Sequence, residues 1–511
     1  MLYSWYSSYP LSIDSLSDFA FNHISPLFWF SLSLMLISVY LIALTGKSNY
    51  LKWIGVVGIF ALLHSLSYFY LTLPTSDSQY FRGLTEYFVN SNNVSGALKP
   101  SQLYFEWPNF FILNKMAISV LGISARGFEF IAYSVIGFLL TTVLYAYFSK
   151  FSKGGAFFAV IGFSLAMFNF LNYQWVPFTV AFTLFLILVM LDARSNGSHG
   201  KQSLDIITVV LVVAIAFTHP FVPLFYILYT LVRYLFSRER RYLNLSLFSC
   251  ALFMLVQVFQ APLNFVKNLN TILTNIQSTE YNRAAEMILQ GGSNSFDATS
   301  QLFSKFIVIV ILAIFGIGFT ASIIKKKIQR QDIAILVSGI LYMFAGGVTQ
   351  VLGTRAIPIL CIPVCCSGAY YLFRSRFGSY LKYVFLILLM LFPFVLVHSS
   401  FFDSEIFFQT KETYDASNFM IDRYNWTNTG LILAHIRVIT YLEARQPLSS
   451  FFESESSPLF PKISEYETIV YTIGLGKNLL KYNYTQEKIT SEIDFNQVYS
   501  NGFSYIWKRS S

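Results

Sequence analysis

Charge is what this chain has least of. Only 12% of its 511 residues are Asp, Glu, Lys or Arg, where a water-soluble domain carries roughly 25%. So little charge cannot cover a water-facing surface, and a soluble globular protein is excluded. Cysteine is sparse as well. The four are Cys250, Cys361, Cys365 and Cys366, all inside apolar runs. None has metal-ligand spacing with His partners, and none lies in a loop where a disulfide framework forms. They read as small apolar fillers of helix faces. The first 25 residues lack a basic n-region and a compact apolar core, so no cleavable signal peptide is expected. No phosphate-binding Gly loop, zinc pattern or nucleophile elbow is present. Carboxylates deep inside apolar runs are nearly absent, which weighs against a proton-coupled transporter.

What is there is apolar length. The chain is 55% hydrophobic with a mean hydropathy of +0.55, and its apolar residues gather in runs of about 20, the length that crosses a hydrocarbon core of roughly 30 Å. Twelve spans are predicted, over 26–45, 53–73, 128–149, 155–171, 176–192, 205–218, 220–236, 245–262, 305–324, 333–351, 356–373 and 382–398. The segment 108–124 is apolar but interrupted by Asn114 and Lys115, and reads as an interfacial or re-entrant helix. Basic residues set the orientation. Lys47 and Lys52, Lys150 and Lys153, Arg194 and Lys201, Arg233, Arg238, Arg240 and Arg241, Lys325, Lys326, Lys327 and Arg330, and Arg374, Arg376 and Lys382 follow alternate spans. All 17 fall on one side of the alternation, which is then cytoplasmic. Both termini are thereby extracytoplasmic.

Three pieces are external on this reading: loops 74–127 and 263–304, and a tail from 399 to 511. Residues 1–398 form the membrane domain. The tail has strand-like runs at TGLILAH, YETIVYTIG and FSYIWKR and a helix-like stretch in ETYDASNFMIDRY, so it reads as a small α/β domain. In the second loop, STEYNRAAEMIL carries Glu280, Arg283 and Glu286 on a helix-like stretch, and GGSNSFD reads as a flexible link.

The stretch LPTSDSQYFRG ends a very apolar run and places Asp77 at its external end. A solvated boundary residue is the ordinary reading of one loop carboxylate. Here Arg82 and Glu86 follow closely, and the chain returns to the membrane through YFEWPNF, where Tyr104, Phe105, Trp107 and Pro108 surround Glu106. Aromatic residues are common interface anchors. Together these elements make a pocket in which a partly desolvated carboxylate acts as a base. Arg355, in GTRAIP, is a lone guanidinium at an external span end. It reads either as a snorkelling interfacial arginine or as a fork of donors for phosphate oxygens. His219, in FTHPFVPLF, lies in an external hairpin that Pro220 and Pro223 explain by themselves; it is either structural or a phosphate or proton ligand. His64 lies mid-span, where a polar side chain faces the bundle interior.

SDSQYFRGLTEYF after an early span, YFEWPNFFILNKMAISVLGIS returning to the membrane, THPFVPL, GTRAIP and the closing FNQVYSNGFSYIWKR resemble the GT-C superfamily of membrane glycosyltransferases, in its archaeal-type form. That superfamily includes protein O-mannosyltransferases, oligosaccharyltransferase catalytic subunits and aminoarabinose transferases. The resemblance implies a polytopic helical domain with a small extracytoplasmic α/β domain, a lipid-linked sugar donor, and a protein or glycolipid acceptor. It implies that Asp77 is the base or metal-site carboxylate and that Arg355 contacts the carrier phosphate, with Glu86, Glu106, Tyr104, Trp107, His219 and Arg82 as substrate-binding candidates. Two departures stand out. The paired acids of the superfamily are missing, since Ser78 and Gln79 follow Asp77, and an extra span precedes the usual first one. The resemblance allows a divalent cation, Mg or Mn, with Glu86 or Glu106 as the second acid, but the missing partner favours metal-independent transfer. Membrane lipids are the other partners; no nucleic acid is expected. A transporter or flippase of a lipid-linked glycan, and an inactive assembly subunit, are the competing readings.

Overall fold

The computed structural model describes residues 25–45, 48–65, 76–90, 104–151, 154–167, 175–195, 201–262, 295–347 and 350–372, short stretches between 380 and 391, residues 419–420, and five strands between 432 and 509. Thirteen α-helices lie among them. They are α1 (Pro26–Thr45), α2 (Asn49–Ser65), α3 (Ser76–Asn90), α4 (Asn109–Leu121), α5 (Ala125–Phe151), α6 (Ala156–Ala166), α7 (Pro177–Ser195), α8 (Lys201–Ala216), α9 (Val222–Ser237), α10 (Arg240–Leu255), α11 (Ser295–Ile324), α12 (Arg330–Gly347) and α13 (Gln350–Leu372). A π-turn, Val256–Gln260, continues α10.

This is an integral membrane protein. Among the described residues four stretches, Ala125–Phe151, Pro177–Arg194, Arg240–Gln260 and Arg355–Leu372, are long and apolar enough to cross a bilayer. The centre of the bundle is α6. Every one of its eleven residues is buried, as an all-apolar helix requires when its neighbours surround it. Two other helices meet backbone to backbone, because a Cβ on Gly318 of α11 would stand 2.5 Å from the carbonyl oxygen of Gly368 in α13. Small residues permit such an approach where packing, not water, drives association.

The structure adds detail to two segments. Within the segment 74–127, residues 76–90 form α3. Tyr80, Phe81, Leu84, Tyr87 and Phe88 recur at helical spacing, and the amphipathic period supports a helix without a membrane-length apolar run. Helix α11 begins at Ser295, ten residues before the predicted span, so the end of GGSNSFD is helical. Glu280, Arg283, Glu286 and the side chain of His64 lie outside the described residues, as does nearly all of the span predicted at 382–398.

Near the C-terminus, β1 (Ile432–Ala434), β2 (Phe452–Glu453), β3 (Thr468–Tyr471), β4 (Phe495–Ser500) and β5 (Tyr505–Arg509) form one sheet in the order β2-β1-β3-β5-β4. β1 runs parallel to β2 and β3, while β5 runs antiparallel to β3 and β4. The three strand-like runs read in the sequence contain β1, β3 and β5. The helix-like stretch ETYDASNFMIDRY lies outside the described residues except at 419–420.

At the end of the bundle carrying the basic connections, a buried polar network ties helices together. The Asp192 carboxylate of α7 accepts from the hydroxyls of Tyr229 and Tyr242, each at 2.6 Å, from Arg233 Nε at 3.2 Å and from Gln331 at 3.3 Å. Beside it, Asp332 accepts from Ser367 and, at 2.9 Å, from Tyr147. Arg233 is nearly enclosed, so removing its carboxylate partner strands a buried charge. Asp192→Ala should cost about 3–5 kcal/mol and lower the thermal midpoint in detergent sharply. An unchanged midpoint would show that the network is not a structural tie.

Candidate functional site

The opposite end holds the candidate residues. α8 stops because Pro220 lacks the amide hydrogen a continuing helix needs, and Pro223 fits the first turn of α9, where that hydrogen has no acceptor. Between the two helices the His219 ring folds back over the start of α9. Its Nδ1 accepts from the amides of Phe221 at 3.1 Å and Val222 at 3.4 Å, two donors that every helix start leaves open. Its Nε2 lies 2.8 Å from Arg355 Nη1. Phe178 packs against both: its ring centroid is 5.4 Å from the His219 ring and 4.8 Å from the Arg355 guanidinium carbon.

His219 is only 1% exposed. Burial first, and the Arg355 charge second, hold its pKa well below the ordinary imidazole value, so the ring is neutral at pH 7. A neutral imidazole has one N–H. If Nδ1 accepts from the two amides, the hydrogen is on Nε2 and faces a guanidinium N–H. If the hydrogen is on Nδ1, it faces the two amides instead. With the hydrogen on Nε2, donor faces donor at Arg355 and an anionic oxygen beside the pair would accept from both; with the hydrogen on Nδ1, Nε2 accepts from Arg355 and the two amides lose their acceptor. Tyr342 of α12 adds to the excess: its buried hydroxyl has no hydrogen-bond partner among the described residues and lies within the influence of Arg355.

The YFEWPN segment docks on the same hairpin. Asn109 donates to Thr218 Oγ1 at 2.9 Å and to the Ala214 carbonyl at 3.4 Å, and its amide bonds the Phe217 carbonyl at 3.2 Å. Trp107 is buried against Ala216, Val256 and Ala261. Its indole N–H also has no acceptor among the described residues. Tyr104 spans the gap to α3, with its ring 6.0 Å from Trp107 and 4.8 Å from Phe81. Glu106 is buried in the same turn.

Asp77 lies in the first turn of α3; its side chain is outside the described residues. Arg82 and Glu86 fall elsewhere than the His219 hairpin. Arg82 is enclosed between Glu86 and Glu129, at 3.8 Å from each. The structure thus joins Arg355 to His219, and Tyr104 and Trp107 to the hairpin, while Arg82 and Glu86 belong to a second cluster. Glu129, Asn109, Phe178 and Tyr342 were missed in the sequence. For Asn109 the Pro-Asn helix start was a usable signal; for the others the partners are remote in sequence. No three His, Cys, Asp or Glu side chains gather among the described residues, which do not include the side chain of Asp77.

No protein-family model matches the chain, and no curated protein does. Solved structures do. The archaeal oligosaccharyltransferase AglB from Archaeoglobus fulgidus, in complex with an inhibitory peptide and a dolichol-phosphate, is 11% identical. The match covers 90% of this chain and 74% of that one, with a TM-score of 0.52. ArnT from Cupriavidus metallidurans, in the apo state, is 10% identical over 89% of this chain and 98% of that one, with a TM-score of 0.49. The likeness to AglB shows a shared fold.

The His219 geometry predicts an acid limb in stability. Because the folded state lowers this pKa, its contribution is present above the ordinary imidazole value and is lost as pH falls toward the folded one. His219→Gln keeps an acceptor for the two amides but does not titrate. Its thermal midpoint should fall less between pH 7 and pH 5, an interval of about 2 units around the usual histidine pKa. Parallel slopes for variant and wild type would contradict the buried neutral ring.

Proposed function

We propose that this protein is an integral-membrane glycosyltransferase that moves a sugar from a polyprenyl- or dolichyl-phosphate carrier to a protein or glycolipid acceptor at the extracytoplasmic face. The observation that carries the proposal is the convergence of Arg355 Nη1 and His219 Nε2, 2.8 Å apart in a part-buried setting. The GT-C-like fold supports the transferase class. The reading includes twelve spans, both termini outside the cytoplasm, and residues 399–511 as an external α/β domain that selects the acceptor.

In this mechanism the carrier's tail lies in the bilayer and its phosphate accepts from Arg355 and from His219 Nε2–H. As the bond between the anomeric carbon and the phosphate oxygen breaks, charge grows on the phosphate, and fixed donors in a water-poor site stabilise that growth. Asp77 takes the acceptor's hydroxyl proton as its oxygen bonds the anomeric carbon. Confining donor and acceptor to one interface removes much of the entropic barrier. Trp107 and Tyr104 keep α3 against the hairpin. A divalent cation would need Asp77 with Glu86 or Glu106, and no step above is routed through one.

A flippase would move the lipid without transferring sugar, and an inactive assembly subunit would need neither Asp77 nor Arg355. Transfer from polyprenyl phosphate sugars, assayed in detergent without sealed vesicles, separates these readings. Asp77→Asn should lower transfer by about 100- to 10,000-fold, the range of a lost general base, with expression and thermal midpoint retained. Arg355→Lys, which loses the planar fork, should lower it by about 100-fold or more. Wild-type activity in both variants would overturn the proposal, as would no transfer by the wild type from any donor in a panel of sugars.

A further inference from the structure

The second polar cluster lies where three helices meet. Arg82 and Thr85 come from α3, Asn114 from α4 and Glu129 from one turn into α5. Asn114 donates to Thr85 Oγ1 at 3.0 Å and accepts from the Trp175 indole at 2.9 Å. Arg82 Nη1 lies 3.8 Å from Glu129 Oε2, and Arg82 Nε lies 3.8 Å from Glu86 Oε1. Both separations are ion pairs without hydrogen-bond contact. Glu129 Oε2 has no hydrogen-bond partner among the described residues. Phe81, Phe110, Phe128 and Trp175 close over the group.

Two explanations fail on magnitude. The cavity among these residues measures about 10 Å³, room for at most one water and far too little for a sugar ring. The cluster is therefore not a substrate pocket. Nor is it there for stability. Enclosing a guanidinium and a carboxylate costs several kcal/mol per ion, and a well-packed apolar pair of similar volume is often about as stable or 1–4 kcal/mol better. A buried ion pair without direct hydrogen bonds recovers even less of that cost. What it supplies is register: one charge on α3 has one low-energy place against the Glu129 carboxylate of α5.

The consequence falls on Asp77. Residues 81–85 of α3 are all buried, so the middle of the helix is sunk. Asp77 is five residues before Arg82, a rise of about 7.5 Å. A shift or rotation of Arg82 is transmitted along the helix as a rigid body.

We propose that Glu129 is a positioning residue: its pull on Arg82 fixes the rotation and depth of α3, and with them the place of Asp77. For its catalytic consequence this rests on the transferase reading; the mechanical claim stands by itself. Glu129 acts with Asn114 and Lys115 of α4. Lys115 donates to the Phe88 carbonyl at 3.3 Å, so α4 holds the second half of α3 while α5 holds Arg82.

The test uses Glu129→Gln and the apolar double variant Arg82→Met/Glu129→Met in the full chain. Amide hydrogen exchange over 76–90 should quicken at least tenfold in both, while exchange in α6 and α12 is unchanged. The double variant should keep its thermal midpoint. Sugar transfer should lose at least tenfold in kcat, with little change in the donor KM, because Arg355 and His219 are untouched. Glu129→Asp should recover part of the loss. Unchanged exchange in α3, or faster exchange throughout the protein with a fallen midpoint, would overturn the proposal. So would loosened α3 with kcat intact in a protein whose Asp77→Asn variant is inactive. If Asp77→Asn transfers like the wild type, the transferase reading fails and the exchange result alone decides whether the tether exists.

Discussion

A buried donor needs an acceptor, and at one end of this bundle donors outnumber acceptors. Arg355 faces a histidine whose other nitrogen is already taken by two amides. The indole of Trp107 and the hydroxyl of Tyr342 are buried without acceptors among the described residues. Groups of this kind each cost on the order of 1–3 kcal/mol when left unmet. Their concentration around one hairpin is the basis of the proposal that the site receives a phosphate. The rest of the functional account depends on that imbalance.

The opposite end is balanced. Asp192 has four donors and Asp332 two, and the helices they join hold the bundle in one arrangement. Polar side chains therefore do two jobs along the same helices. Hydrogen-bonded carboxylates at the basic end tie helices together, and the unmet donors at the other end are those the proposed function assigns to a ligand. Sequences that specify a fold break local rules mainly where function requires it. Among the described residues such breaks occur at Trp107 and Tyr342, and again at Glu129 in the second cluster.

Much of the architecture was legible. Hydrophobic runs locate the helices because a bilayer demands length and apolarity of each span, and the one-sided basic residues give an independent alternation. α3 was overlooked because it is amphipathic and polar at its start, though Tyr80, Phe81, Leu84, Tyr87 and Phe88 carry the helical period. The site was only partly legible. Arg355 and His219 could be singled out as lone polar residues at apolar run ends, but their contact spans 136 positions and no local pattern encodes it. Glu129 sits inside an apolar helix, where its partner Arg82 is visible only once three helices are packed. Arg82 and Glu86, read as substrate ligands, form with Glu129 one cluster in which Arg82 lies between the two carboxylates.

The proposed chemistry requires one phosphate to be shared by Arg355 and His219, with Asp77 on the sugar side of it. The most direct measurement is a structure determined with polyprenyl phosphate bound. The account predicts phosphate oxygens at about 2.7–2.9 Å from both Arg355 Nη1 and His219 Nε2, with the Arg355–His219 contact opened and the first turn of α3 facing the phosphate. A phosphate bound elsewhere on the protein, with the Arg355–His219 contact intact, would contradict it.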